Sequence, residues 1–429
     1  MREVGISSRK VKAFGFFLVC LALFRSIWLH FGAFCSISLY LGMIKAYQIA
    51  RGERCGMKTT ALQSFAKNNP FTPVFGKVPP HLAGREQIVA DILAAFESPQ
   101  NNPDRCTMFV GARGTGKTAL LTYLGDCARA NGWITANVTA MSGMLSDIMQ
   151  QASRAADHLV DSGSSTAIKS VSLAGIGGIA WEKEEQASSN WRTGMSSLLD
   201  QLAECGVGLV ITVDEVDPTL DEIIQLVTTY QHFVREERDV ILLMAGLPHR
   251  ISALLSGETT SFLRRAARRN LGNVADYAVE EAFRLTVEEG GKTIAREALA
   301  DVVSAINGFP FMFQLVGYRA WNASGEHKVI SAKDVEIGAR LARAELKDRI
   351  FDATFNELSP ADVAFLRAMM VDETVTNQSD LRERLHKSPS HVSTYKKRLL
   401  EAGVIEEPMR GSLSFALPGF REYLQELFA

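Results

Sequence analysis

Polar positions nearly vanish over residues 14–44, FGFFLVCLALFRSIWLHFGAFCSISLYLGMI. Within that stretch, Ser26 to Ile44 holds a single histidine, His30, and no Lys, Arg, Asp or Glu over 19 residues. That length barely reaches the roughly 20 apolar residues a helix needs to cross a bilayer. From about residue 81 to 250 the pattern changes. Short apolar runs at Cys106–Val110, Ile134–Val138, Val207–Val213 and Val240–Ala245 predict buried strands. Between them, residues 144–159 and 220–234 space their apolar side chains by three and four, which predicts helices. This alternation predicts a parallel α/β sheet covered on both faces. Residues 161–190 interrupt it with Ser and Gly. Ser170–Leu173 alternates and GIGG follows, so the segment is open to two readings, a projecting hairpin or an unstructured surface insertion.

Residues 251–346 read as helical, with no strand. A small unit begins near residue 355. Ser359-Pro360 starts a helix through Ala361–Met370, and Gln378–Leu385 gives a second. Ser388-Pro389-Ser390 opens a third, through Leu400, which stops at Gly403. Val404–Glu407 and Leu413–Ala416, joined by a turn at Arg410-Gly411, predict a hairpin. Three helices and a hairpin in this order resemble a winged helix-turn-helix.

At 429 residues the chain has room for about three domains of ~150 residues. The net charge of -2 hides an asymmetry. Residues 1–56 hold eight Lys/Arg against Glu3 and Glu53, which leaves 38 basic and 46 acidic residues in the remainder. A body that acidic excludes general nucleic-acid binding through phosphate neutralisation. The six cysteines, Cys20, Cys35, Cys55, Cys106, Cys127 and Cys205, form no CxxC pair and have no histidine at metal-site spacing. They read as reduced thiols of a cytoplasmic protein. The apolar leader at 1–56 has two readings. It is a membrane anchor through residues 26–44, or it lies upstream of a natural start at Met57, where MKTTALQSFAKNNPFTPVF begins. Residues 57–80, with Pro70, Pro73, Pro79 and Pro80, read as an extended lead-in.

Candidate chemistry centres on GARGTGKT, residues Gly111, Ala112, Arg113, Gly114, Thr115, Gly116, Lys117 and Thr118. It follows the apolar run Thr107–Val110 and precedes Ala119 and a helical pattern. This strand–loop–helix context suits phosphate binding. Glycines let backbone N–H groups turn inward, and the helix N-terminus adds its positive end. Lys117 reaches the β and γ phosphates, and Thr118 supplies a hydroxyl for Mg²⁺. A second element, Leu209–Glu215, is an apolar strand that ends in two acids. Buried strands do not end in carboxylates without a reason. Asp214 is placed for the Mg²⁺ shell, and Glu215 to polarise the attacking water.

With these residues the chain resembles the AAA+ and STAND branch of P-loop ATPases, in particular origin-recognition-like ATPase-domain proteins. Leu82-Ala83-Gly84-Arg85-Glu86 is similar to the family signature beside the adenine, and Gly308-Phe309-Pro310 to the Gly-x-Pro of STAND lids, where Pro310 approaches the base. The resemblance covers about residues 81–320. It implies a three-layer parallel sheet of the AAA+ type with an α-helical lid and a C-terminal winged helix, divided as 81–250, 251–350 and 355–429. It implies ATP and Mg²⁺ as ligands and hydrolysis as the activity. It also implies an arginine finger offered to a neighbouring subunit of a homo-oligomer. SFLRRAARRN (261–270) supplies Arg264, Arg265, Arg268 and Arg269, with Arg265 the first choice and a solvated helix face the plainer reading. Two departures favour a slow switch over a motor. Gly246-Leu247-Pro248 lacks a polar sensor, and Phe311 stands where a sensor arginine is common, with Arg319 a weaker substitute.

In the C-terminal unit the third helix would face double-stranded DNA through Lys387, His391, Ser393, Thr394, Lys396, Lys397 and Arg398. The unit as a whole carries nine basic against ten acidic residues over 359–429, so docking to a protein partner is the alternative reading and a purely structural role a third.

Overall fold

The computed structural model describes residues 69–74, 76–98, 101–161 and 184–429. The leader at 1–56 with its candidate span at 26–44, the lead-in as far as residue 68, and the hairpin read at Ser170–Leu173 lie outside the described residues. Among the described residues, no helix is long and apolar enough to cross a membrane.

Helix α1 (Glu86–Glu97) leads into a sheet of β1 (Cys106–Val110), β2 (Ile134–Thr139), β3 (Leu209–Asp214), β4 (Val240–Gly246) and β5 (Ala267–Asn270). The order is β2-β3-β4-β1-β5, every pair parallel. Helices α2 (Lys117–Ala130), α3 (Met144–Asp161), α4 (Glu184–Glu204) and α5 (Asp221–Arg235) flank it. The first residues of α4 fall within the stretch read as an insertion. Strand β4, VILLMAG, is buried at every position, because helices cover both faces. Successive residues go to opposite sides. Leu242 and Met244 pack with Ile148, Leu199 and Leu226, while Ile241 and Leu243 pack with Leu120 and Leu124.

Strand β5 corrects the reading of 251–346 as purely helical. ARRN lacks an apolar run because it forms the edge of the sheet, pairing among the described residues with β1 alone. Arg268 and Asn270 are exposed, as suits an edge that must not recruit another strand. Arg269 turns inward to Asp91 at 2.9 Å and Asp104 at 2.7 Å. Arg268 and Arg269 are therefore strand residues, not positions on a helix face. Two further strands, β6 (Thr293–Ile294) and β7 (Val329–Ile330), are too short to produce a period.

The lid follows α6 (Pro248–Ser256) and comprises α7 (Asp276–Glu289), α8 (Arg296–Ile306), α9 (Pro310–Ala323) and α10 (Ala332–Leu346). The described end of the lead-in, from Asn69 on, is part of it. Phe71 is buried between Phe283 and Phe313, at ring distances of 4.9 and 5.9 Å. Gln314 accepts the Thr72 backbone N–H at 2.8 Å.

A π-helical turn, Lys347–Phe351, continues α10 into α11 (Asp352–Asn356). Then come α12 (Pro360–Met369), β8 (Thr376–Asn377), α13 (Gln378–Leu385), α14 (Pro389–Glu401), β9 (Ile405–Met409), β10 (Ser412–Phe415) and α15 (Phe420–Phe428). The three strands pair antiparallel in the order β8-β10-β9. Three helices, α12, α13 and α14, followed by the β9–β10 hairpin are in the order read from the sequence, with β8 added beside β10. Ser359 and Asp362 cap α12 reciprocally, with Pro360 in the first turn. The apolar core of this unit is continuous with that of the lid, joining Phe365, Leu399 and Phe420 to Phe283 and Phe313.

Candidate functional site

The loop after β1 runs through Gly111–Thr118 into α2. Gly114 and Gly116 adopt φ of +79° and +85°, the left-handed region that suits glycine. A Cβ on Gly114 would lie 2.5 Å from the Phe309 ring, so loop and lid are in direct contact. Helix α2 starts at Lys117, which leaves its first N–H groups free of intrahelical partners at the loop. The buried Lys117 donates from Nζ to the carbonyls of Gly111, at 3.0 Å, and Ala112, at 2.8 Å. Burial pushes its pKa down, while Glu215 and Asp214 pull it back up.

Asp214 is the last residue of β3. Its Oδ2 accepts from Thr118 Oγ1 at 2.5 Å, and its Oδ1 accepts from the Glu215 N–H at 2.9 Å. Glu215 sits at φ +53°. Such a conformation costs a non-glycine residue roughly 1–3 kcal/mol and is concentrated at functional positions. Thr118 and Asp214 offer a hydroxyl and a carboxylate oxygen side by side. That donor set fits Mg²⁺, which takes one or two protein oxygens and completes its shell with phosphate and water.

Lys117, Thr118 and Glu215 line a cavity of about 500 Å³ between the α/β core and the lid. Arg113, Gly114, Thr115, Gly116, Ala119 and Arg85 also border it, and the lid adds Phe309, Pro310 and Phe311. Pro310 begins α9, and Gly308, two residues earlier, has φ +68°. A Cβ at Gly308 would fall 2.6 Å from the Val274 carbonyl, so the lid turn requires glycine. Arg85 donates to the Gly272 carbonyl at 2.7 Å, and burial lowers its pKa. Gly84, Gly111 and Ala112 support the cavity without lining it. The Gly84 N–H is held by Glu86 at 3.0 Å. A second cavity of about 460 Å³ borders the other side of the Thr118–Asp214 pair, with Asn137, Asp147 and Thr212.

Other candidates lie elsewhere. Arg265 is exposed on the short turn Ser261–Arg265 and does not border the main cavity. Arg264 donates to the Leu255 carbonyl at 3.0 Å. Arg319 is held by Glu345, with Nε at 2.9 Å and Nη2 at 2.5 Å, also away from the cavity. Sequence reasoning missed Thr72, His81 and Arg349, which do line it. Thr72 and Arg349 lie in no motif, so the tertiary fold alone places them there, whereas His81 directly precedes Leu82–Glu86, a signal that could have found it.

In the third helix of the C-terminal unit, two of the candidate cations are paired with carboxylates. Lys396 donates to Glu407 at 2.6 Å, and Arg398 to the buried Asp362 at 2.9 Å, with half of the Arg398 side chain still exposed. Lys387, Ser393, Thr394 and Lys397 are exposed, and His391 packs on Tyr395 at 4.6 Å.

Residues 81–232 match the family model of the AAA ATPase domain, and residues 348–424 match one described as a domain of unknown function. A search of curated proteins finds no match. Among solved structures, the chain is similar to a Walker-type ATPase of Pyrococcus abyssi at 14% identity and TM-score 0.60, covering 84% of this chain and 99% of that one. It is also similar to the ORC2 protein of Aeropyrum pernix, solved as ADPNP–ADP complexes, at 14% identity and TM-score 0.55. That match covers 83% of this chain and 95% of the other. At such identities the likeness is one of fold.

Proposed function

Residues 81–232 being an AAA ATPase domain and the chain an ATPase, we propose that it works as a slow nucleotide switch. ATP in the cleft sets the lid, and the lid sets the C-terminal winged helix. The observation that carries this reading is the Thr118–Asp214–Glu215 arrangement on one wall of a cleft whose other wall is the lid.

Backbone N–H groups of residues 111–119 take the phosphates, and Lys117 moves from the loop carbonyls to the β and γ oxygens. Gly84-Arg85 and Pro310 lie toward the base. Thr118 and Asp214 would hold Mg²⁺, which when bound neutralises phosphate charge. Glu215 accepts a proton from the attacking water. The bond from the γ phosphorus to the ADP oxygen breaks as the new one forms, giving ADP and phosphate. Leu247 and Phe311 at the sensor positions favour slow turnover. Arg265 lies outside the cleft and acts only across a boundary to a second copy. The working divisions are 81–250, 251–350 and 355–429, and the continuous apolar core supports joint movement of the last two.

A second reading, a nucleotide-gated DNA-binding regulator with little hydrolysis, is favoured by the exposed Lys387, Ser393, Thr394 and Lys397. The internal pairing of Lys396 and Arg398 weakens it, because each lost phosphate contact removes affinity. ATP turnover by the native chain and by Glu215→Gln, each with and without duplex DNA, tests both. Glu215→Gln should bind ATP yet lose about a hundredfold or more of turnover. Unchanged turnover in Glu215→Gln would remove Glu215 as the base. DNA-stimulated turnover would couple hydrolysis to DNA and overturn the reading with little hydrolysis, DNA affinity that changes with nucleotide at negligible turnover would favour the regulator, and no response to DNA would favour a protein partner.

A further inference from the structure

The cleft contains a cation that no motif announces. Arg349 lies on the π-helical turn Lys347–Phe351 between the lid and the C-terminal unit. It lines the same cavity as Lys117, Thr118 and Glu215, and so does its neighbour Ile350. Phe351, the next residue, is buried on the other side. Its ring packs on Phe420 at 5.3 Å and on Tyr423 at 5.4 Å, both on α15. Asp352 then accepts from the Tyr423 hydroxyl at 2.7 Å. Two consecutive residues thus border the cleft, and the next two grip the C-terminal helix. The domain match at residues 348–424 takes in this turn, so its sequence goes with the unit beyond it.

Resting on the reading of the cleft as the nucleotide site, we propose that Arg349 contacts the terminal phosphate and carries nucleotide state to the C-terminal unit. Three observations converge. The residues expected to do so are occupied otherwise: Phe311 is apolar and packs near Phe309 at 6.3 Å, and Arg319 is committed to Glu345. Among the described residues Arg349 has one ion pair, to Glu345 Oε1 at 2.8 Å, and its side chain is 58% exposed. A guanidinium carries five N–H donors, and its fork matches a phosphate in two-point contact. Leaving Glu345 costs little, because the Arg319 pair keeps that largely buried carboxylate neutralised. A π turn holds one residue more than an α turn would, and such bulges recur at functional sites. A small pull on Arg349 is therefore passed along one turn to Phe351 and the core of the C-terminal unit.

The test is binding of fluorescent ATPγS and ADP to the full chain, to Arg349→Ala, Arg349→Lys and Lys117→Ala. Hydrogen exchange over residues 347–356 and 420–428 is followed in parallel. Arg349 is exposed enough that the alanine variant keeps its core. Arg349→Ala should lose about tenfold to a hundredfold of ATPγS affinity, the size of a charge-assisted contact, and less than about threefold of ADP affinity. Arg349→Lys should fall between. The native chain should show slower exchange in both segments with ATPγS than with ADP, and Arg349→Ala should lose that difference. An unchanged ATPγS-to-ADP ratio, or a persisting exchange difference, in Arg349→Ala overturns the proposal while leaving the cleft reading intact. Retained binding of both nucleotides in Lys117→Ala overturns the cleft reading and this inference with it.

Discussion

The loop at Gly111–Thr118 and the helix Pro389–Glu401 both present cations that a reading of sequence alone assigns to phosphates. The structure treats them differently. In the loop, Lys117 rests on two neutral carbonyls, at 3.0 and 2.8 Å, beside an open cleft. In the helix, Lys396 and Arg398 already have carboxylate partners, Glu407 and Asp362. A cation held by neutral acceptors in a desolvated site is ready for an anion that outbids them. A cation that is the one charged partner found for a carboxylate among the described residues is committed to the fold, unlike Arg349, whose Glu345 keeps Arg319. Charge along a sequence therefore does not measure charge available to a ligand.

The largest effect should come from the loop. Lys117→Ala removes a buried cation whose partners are only carbonyls, so folding should hardly change while ATP affinity falls by about a hundredfold or more. Nucleotide titration beside a thermal melt checks both halves. A lowered melting temperature with retained binding would reverse the contrast and make Lys117 structural.

Arg398→Ala should do the opposite. Asp362 is 1% exposed, and without Arg398 it keeps Ser359 alone. Leaving a buried acceptor short of a partner costs about 1–3 kcal/mol, which a denaturant melt would read as a lower midpoint with the same slope. ATP affinity should not move. A variant as stable as the native chain would mean that Arg398 is free to serve a ligand after all.

The same contrast explains what could be read in advance. The phosphate loop and the Asp214-Glu215 pair are contiguous in the chain, and the strands that carry them are buried enough to leave an apolar signature. Local order dictates them. The strand Ala267–Asn270 carries no apolar signature because an edge strand needs charge, and its Arg269 finds Asp104 across 165 residues. Arg398 meets Asp362 across 36 residues, and Lys396 meets Glu407 across 11. No periodicity marks such pairs, since the fold chooses the partner. Arg349 was illegible for the same reason, sitting in a helical linker without a motif. The C-terminal helices were legible because Ser359-Pro360 and Ser388-Pro389 are local start signals. The use of their charges was not.

The smallest effect, and the sharpest test of a spent cation, concerns Lys396. Burial by itself would raise the Glu407 carboxyl. The Lys396 ammonium, the Gly411 N–H and Arg410 outweigh burial and hold it below its ordinary value of 4.5. A carboxyl whose folded pKa is depressed adds stability that is present above the unfolded value and fades as pH falls through the folded one. Lys396→Met keeps the packing of the stem and removes the charge. At neutral pH it should therefore be less stable than the native chain, by less than about 1 kcal/mol given that the pair is partly open to water. As pH falls below 4.5 the native pair is itself lost and the two melting curves should converge. A gap that stays constant or widens on acidification would show that Lys396 acts through something other than Glu407. In that case its assignment to the interior of the unit fails, and the helix regains a cation for a phosphate backbone.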